Sequence, residues 1–187
     1  MTKSFGRILV FGTVALSLVA CQSFDTARLK KIKETENTHL NAMIFCSGTE
    51  RCEFERADTI QIVNESNKRI DQSAINQGIV RLNGQSLKEA NSLYLSVPAQ
   101  QHEVVIRFYP ISINRAEKLH VIHHFKPMRT YIFNMYRSRS GGVGSLLEVA
   151  APEPLCVDLI EGNETIRRFC KPYDALTGLG EFSEQKI

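Results

Sequence analysis

Three histidines, His120, His123 and His124, stand within five residues of one another and are the first candidates for chemistry. On an α-helix, His120 and His124 would lie one turn apart and could share a divalent ion. On a strand the same two side chains share a face but sit about 13 Å apart at ~3.3 Å per residue. That is too far for one ion with bonds near 2 Å. His123 would then point to the opposite side. Val121, Ile122, Phe125 and Pro127 favour the strand, so the expectation is three ordinary histidines and no metal or other cofactor.

Catalytic signatures are absent from the chain. It holds no G-x-S-x-G elbow, no H-E-x-x-H and no phosphate-cradling Walker pattern. Gly142 and Gly144 are followed by Leu147 where a dinucleotide fingerprint has its third glycine. A serine, a histidine and an aspartate far apart in sequence can still meet in space, so a hydrolase stays open behind the non-catalytic reading. A different kind of site is offered by Arg129, Tyr131, Tyr136, Arg137 and Arg139, which lead into the Gly-rich stretch 138–145. Arginine and tyrosine supply area, hydrogen bonds and planar stacking at binding hot spots. The group is therefore a candidate docking surface for a protein, a glycan or a lipid headgroup. The plainer reading turns Tyr131, Phe133 and Met135 toward the core and leaves the arginines solvated.

The cysteines must be placed before either reading can be weighed. Cys46, Cys52, Cys156 and Cys170 form an even set, which in an exported chain reads as two disulfides with three connectivities open. Spacing favours one of them. LCVDLI (155–160) and TIRRFC (165–170) flank Glu161-Gly162-Asn163-Glu164, a hairpin turn by composition. A three-residue loop, 162–164, would set Glu161 opposite Thr165, and the same register puts Cys156 opposite Cys170. Cys46 and Cys52 then close the short loop turned by Ser47-Gly48. A four-cysteine zinc site usually uses closer C-x2–4-C pairs; the spacings here are five and thirteen.

The fifth cysteine belongs to the N-terminus. Lys3 and Arg7 precede Ile8–Ala20, thirteen residues without a charge. That run is shorter than the roughly 20 residues of a membrane span and fits the apolar core of a secretory signal. It ends in Leu18-Val19-Ala20-Cys21, which resembles the lipobox of bacterial lipoproteins. The resemblance covers about twenty residues. It implies that Cys21 carries a diacylglyceryl group, that residues 1–20 are removed, and that the new amino terminus is acylated as well. More than one acyl chain is what stable anchoring requires. In that family an aspartate after the cysteine favours the inner membrane. Gln22 stands here, which implies the outer membrane and its periplasmic face.

The remaining composition is that of a folded chain: 187 residues, 43% hydrophobic and 23% charged, enough for one main domain. Removing residues 1–20 takes away two cations and no carboxylate, so the net charge falls from +3 to +1. A body so nearly neutral excludes electrostatic capture of nucleic acid. Residues 21–44 read as a lipid-anchored tether whose Leu29 and Ile32 give a weak helical face. Its Arg28, Lys30, Lys31 and Lys33 could lie against anionic headgroups.

From 45 to 175 apolar residues recur with period two, as in Leu93, Leu95 and Val97 or Val104, Ile106 and Phe108, with Arg107 pointing away. Strands are expected at 79–82 before an Asn83-Gly84 turn, at 119–125, 131–136 and 146–149, and in the 155–170 hairpin. Residues 54–63 read as strand or the start of a helix, and 93–109 as a second hairpin. The class is mainly β, an antiparallel sandwich of immunoglobulin or prealbumin-like type, closed by a polar tail at 176–187. The run 93–108, LYLSVPAQQHEVVIRF, is similar to the closing hairpin of PEGA-type and prealbumin-like envelope domains, although Gln100-Gln101 stands where those carry glycine. It implies a sandwich and no function. The expectation is a non-catalytic envelope lipoprotein, an adaptor, assembly factor or sensor for another envelope protein or a cell-wall or lipid component. A small-ligand or metal carrier is the alternative, with an envelope hydrolase behind it.

Overall fold

The structure, a computed structural model, describes residues 24–138, 153–172 and 180–187. Cys21 and the signal segment, Arg139, the 146–149 strand and most of the Gly-rich stretch lie outside the described residues. The described residues open with helix α1, which they show over 24–31. Then follow β1 (Ala42–Ser47), β2 (Cys52–Ala57), β3 (Ile60–Gln61), helix α2 (Gln72–Asn76), β4 (Val80–Leu82) and β5 (Leu93–Val97). The long hairpin β6 (Gln101–Ser112) and β7 (Arg115–His124) precedes β8 (Thr130–Arg137), β9 (Leu155–Glu161), β10 (Glu164–Lys171) and β11 (Ser183–Gln185).

Two sheets result, and they pack as a sandwich. The larger runs β11-β10-β9-β8-β1-β5-β4 and the smaller β3-β2-β6-β7. Every pairing is antiparallel except β1 with β8, which run parallel with Ile44 beside Tyr131. Alternation supplies the core: Ile44, Leu95, Phe133, Met135 and Val157 from one sheet meet Phe54, Val104, Ile106, Phe108 and Leu119 from the other, all at 2% exposure or less.

Four details depart from the sequence reading. Residues 93–109 hold two strands but no hairpin: β5 lies in the larger sheet and β6 in the smaller. Pro98, which has no amide proton to give to a ladder, opens a corner between the sheets. The sandwich also takes in residues read as tether. β1 starts at Ala42 in the interior of the larger sheet, and Leu29 of α1 is buried in the core cluster. The tail contributes β11, paired to β10. Finally, the β9–β10 turn has two residues, with Glu161 opposite Glu164. Gly162, at φ +63, takes the positive angle such a loop needs at its first position. A bulge between Thr165 and Arg167 then shifts the register by one, which sets Cys170 opposite Cys156 after all.

Both disulfides are therefore Cys46–Cys52 and Cys156–Cys170. The first joins the end of β1 to the start of β2 and so ties one sheet to the other. Gly48 turns this loop at φ +88, and a Cβ there would run into the Met135 carbonyl. The second clips neighbouring strands β9 and β10, whose Cα atoms come within 4.1 Å.

Candidate functional site

The histidines sit on a strand. Along β7, Leu119, Val121 and His123 turn inward while His120, Ile122 and His124 face out. His120 lies 3.8 Å from Glu103. His123 packs edge-on to Phe125 and Tyr131, with centroids at 4.9 and 5.5 Å, and its buried Nε2 has no hydrogen bond. Burial, reinforced by the Arg167 charge, pushes its pKa below the ordinary value. Among the described residues no three His, Cys, Asp or Glu side chains converge as a metal site.

A fourth histidine, not singled out from the sequence, is more tightly held. His102 is 4% exposed; its Nδ1 lies 2.6 Å from Asp58 Oδ2 and its Nε2 2.9 Å from the Pro98 carbonyl. An Asp–His pair supplies two of the three members of a nucleophile-activating triad. Here the far nitrogen faces a carbonyl of the β5–β6 corner instead of a hydroxyl or thiol, so the pair fastens that corner.

The arginine–tyrosine group does not converge. Tyr131 is fully buried, and its hydroxyl accepts the Lys126 amide proton. Tyr136 lies on the outer face of the larger sheet, bonded to Asp158 at 3.2 Å. Arg129 and Arg137 flank opposite ends of β8, about 26 Å apart at ~3.3 Å per residue. Each has a modest partner: Arg129 lies 3.7 Å from Glu161, and Arg137 donates to the Glu153 carbonyl at 3.1 Å.

The densest polar cluster was not evident from the sequence. On the outer face of the smaller sheet Glu53 of β2 stands directly opposite Arg107 of β6. Arg107 is 0% exposed and Glu53 5%. The guanidinium Nη2 meets Glu53 at 2.9 Å and donates to the Val63 carbonyl at 2.8 Å. Its Nη1 lies 3.4 Å from Glu55 and 3.7 Å from Glu65. Glu53 also accepts from Tyr109 at 2.5 Å and Lys68 at 3.1 Å. Burial alone would raise the Glu53 pKa; the bonds from Tyr109 and Lys68 and the Arg107 charge overcome it, leaving a net lowering.

What buries these charges is the segment 62–71, which runs beside β2 and turns back, joined to itself at Val63 and Ile70. It brings Val63, Glu65 and Lys68 over the sheet. Ile62, Val63 and Ile70, all buried, were the one trace in the sequence that this stretch belongs to the core.

Beside the cluster lies a cleft of ≈ 760 Å³, bounded by Asp25 of α1, Arg51, Glu53, Lys68, Asn91 and Ile113. It carries both charge signs in near balance, and Arg51 and Lys68 are drawn toward the buried Glu53. No family model, curated protein or solved structure matches this chain.

Proposed function

We propose that the chain is a bacterial envelope lipoprotein, held by acylated Cys21 in the outer membrane and facing the periplasm, which works without catalysis as an adaptor, assembly factor or sensor. The observation that carries this reading is a disulfide-tied sandwich whose described residues open in a helix at Phe24, three positions after the lipobox-like cysteine. Disulfides persist in oxidising compartments outside the cytosol, which agrees with export. Docking of α1 through Leu29, with Arg28 donating to Asn76 at 2.6 Å, keeps the body close to its anchor point. A small-ligand carrier is the second reading, favoured by the ≈ 760 Å³ cleft.

The two part in one experiment. A photo-crosslinking residue is placed in cells at Arg129 or Arg137, at either end of β8, and adducts of the full chain are identified by mass spectrometry. One reproducible protein adduct from either position supports the adaptor. Abundant, folded protein without an adduct, together with a thermal shift on ligand screening, supports the carrier.

A further inference from the structure

One pole of the sandwich carries exposed apolar residues next to the point where the anchor must attach. The β6–β7 hairpin leaves regular register between Phe108 and Ser112, and its tip presents Ile111 and Ile113 at 66% and 62% exposure. Ile113 and Asp25 border the same cleft, which puts the tip and the first described residues of α1 at one end of the molecule. Phe24, the first described residue of α1, is 63% exposed. Only two residues separate it from Cys21, a reach of at most about 11 Å. Acyl chains on Cys21 would thus hold this pole within a few residues' length of the hydrocarbon.

We infer that this pole is the membrane-contacting face, with Ile111 and Ile113 seated at the headgroup level of an anionic phospholipid bilayer. The inference rests on acylation of Cys21. Charge agrees with it: 24–33 carries four cations against one carboxylate, and Arg115 is exposed beside the tip. Basic residues flanking apolar ones are the pattern of interfacial contact with anionic lipid. Membrane contact would cover two large isoleucines that the described fold leaves exposed. The opposite pole, with the Pro98 corner and the β9–β10 turn, would project away from the membrane.

The chain has no tryptophan, so a single one reports cleanly. The acylated full chain carrying Ile113→Trp is reconstituted into phosphatidylethanolamine/phosphatidylglycerol vesicles, with and without brominated acyl chains. Ile122→Trp serves as reference. Ile122 is 58% exposed and lies roughly 24 Å along β7 from its tip end at ~3.4 Å per residue. The expected result is a blue-shifted indole at position 113, quenched several-fold more by bromolipid than the one at position 122. Equal, solvent-like emission at both positions, in protein that floats with the vesicles and carries the acyl mass on Cys21, overturns the inference and leaves the anchor standing. Protein that lacks the acyl mass and does not float overturns both. An indole at position 113 that is solvent-like in protein-free vesicles and shielded only in native membranes assigns the tip to a protein partner and also overturns it.

Discussion

The outer faces of the two sheets carry the same device under different cover. On the smaller sheet Arg107 faces Glu53 across β6 and β2, with Tyr109 bonded to the carboxylate. On the larger, Arg168 faces Asp158 across β10 and β9, with Tyr136 bonded to the carboxylate. The second pair is a clean fork: Arg168 donates at 2.7 and 2.8 Å to the two oxygens of Asp158, and its side chain is 37% exposed. Arg107 has no such fork. It is fully buried, shared among three carboxylates, with Nε and Nη1 left without a hydrogen bond. The difference is the 62–71 segment, which covers one face and has no counterpart on the other among the described residues. A pair whose arginine stays partly exposed, over a buried Asp158, gains less, because solvent screens it. A covered one becomes a structural commitment, because neither charge can be removed alone.

The largest expected effect follows from that asymmetry. Arg107→Ala strands Glu53 in a buried site and should cost about 3–5 kcal/mol in urea unfolding. Arg107→Leu combined with Glu53→Leu should recover most of the loss. If the double variant is as unstable as the single, the network is doing more than neutralising itself. Arg168→Ala should cost only about 1 kcal/mol and lose its effect in high salt. A penalty matching that of Arg107 would erase the distinction between the two faces.

A smaller effect concerns pH at the opposite pole. His123 has its pKa depressed in the folded state by burial and the Arg167 charge. The folded protein therefore binds fewer protons than the unfolded chain once the pH falls below about 6.5. Its contribution is fully present above that value and is lost as pH falls toward the folded pKa. Thermal unfolding at pH 7 and pH 5 should show a smaller drop for His123→Phe than for the parent. An unchanged drop would assign acid sensitivity to the carboxylates. Glu53 and Asp58, both lowered, titrate only further down.

These contrasts also mark where the sequence could be read. Period-two alternation exposed the strands, and the turn composition around Gly162 placed Cys156 beside Cys170, although the bulge rather than a longer loop achieves it. Arg107 was legible as outward-facing. Its burial was not, because 62–71 covers it through tertiary contacts that no local pattern encodes. β1 was missed in part because AMIF is a short apolar run without alternation, which periodicity cannot assign. The Pro98 corner was read as a hairpin because strand–turn–strand looks the same whether the second strand pairs with the first or crosses to the facing sheet. Composition grouped Tyr131 with Tyr136 as one candidate surface, but the plainer reading holds: the pleat sends Tyr131, Phe133 and Met135 into the core and Tyr136 outward.

The central claim is that this sandwich is tethered by its first mature residue, and the most direct test is mass spectrometry of the N-terminal peptide from the membrane fraction. The account predicts a chain that begins at Cys21 and bears the mass of a diacylglyceryl group with an acylated amine. In a Cys21→Ser variant this mass is lost, and the protein either stays unprocessed or leaves the membrane. A mature chain that begins elsewhere, or an unmodified Cys21 in protein that still fractionates with the membrane, would contradict it.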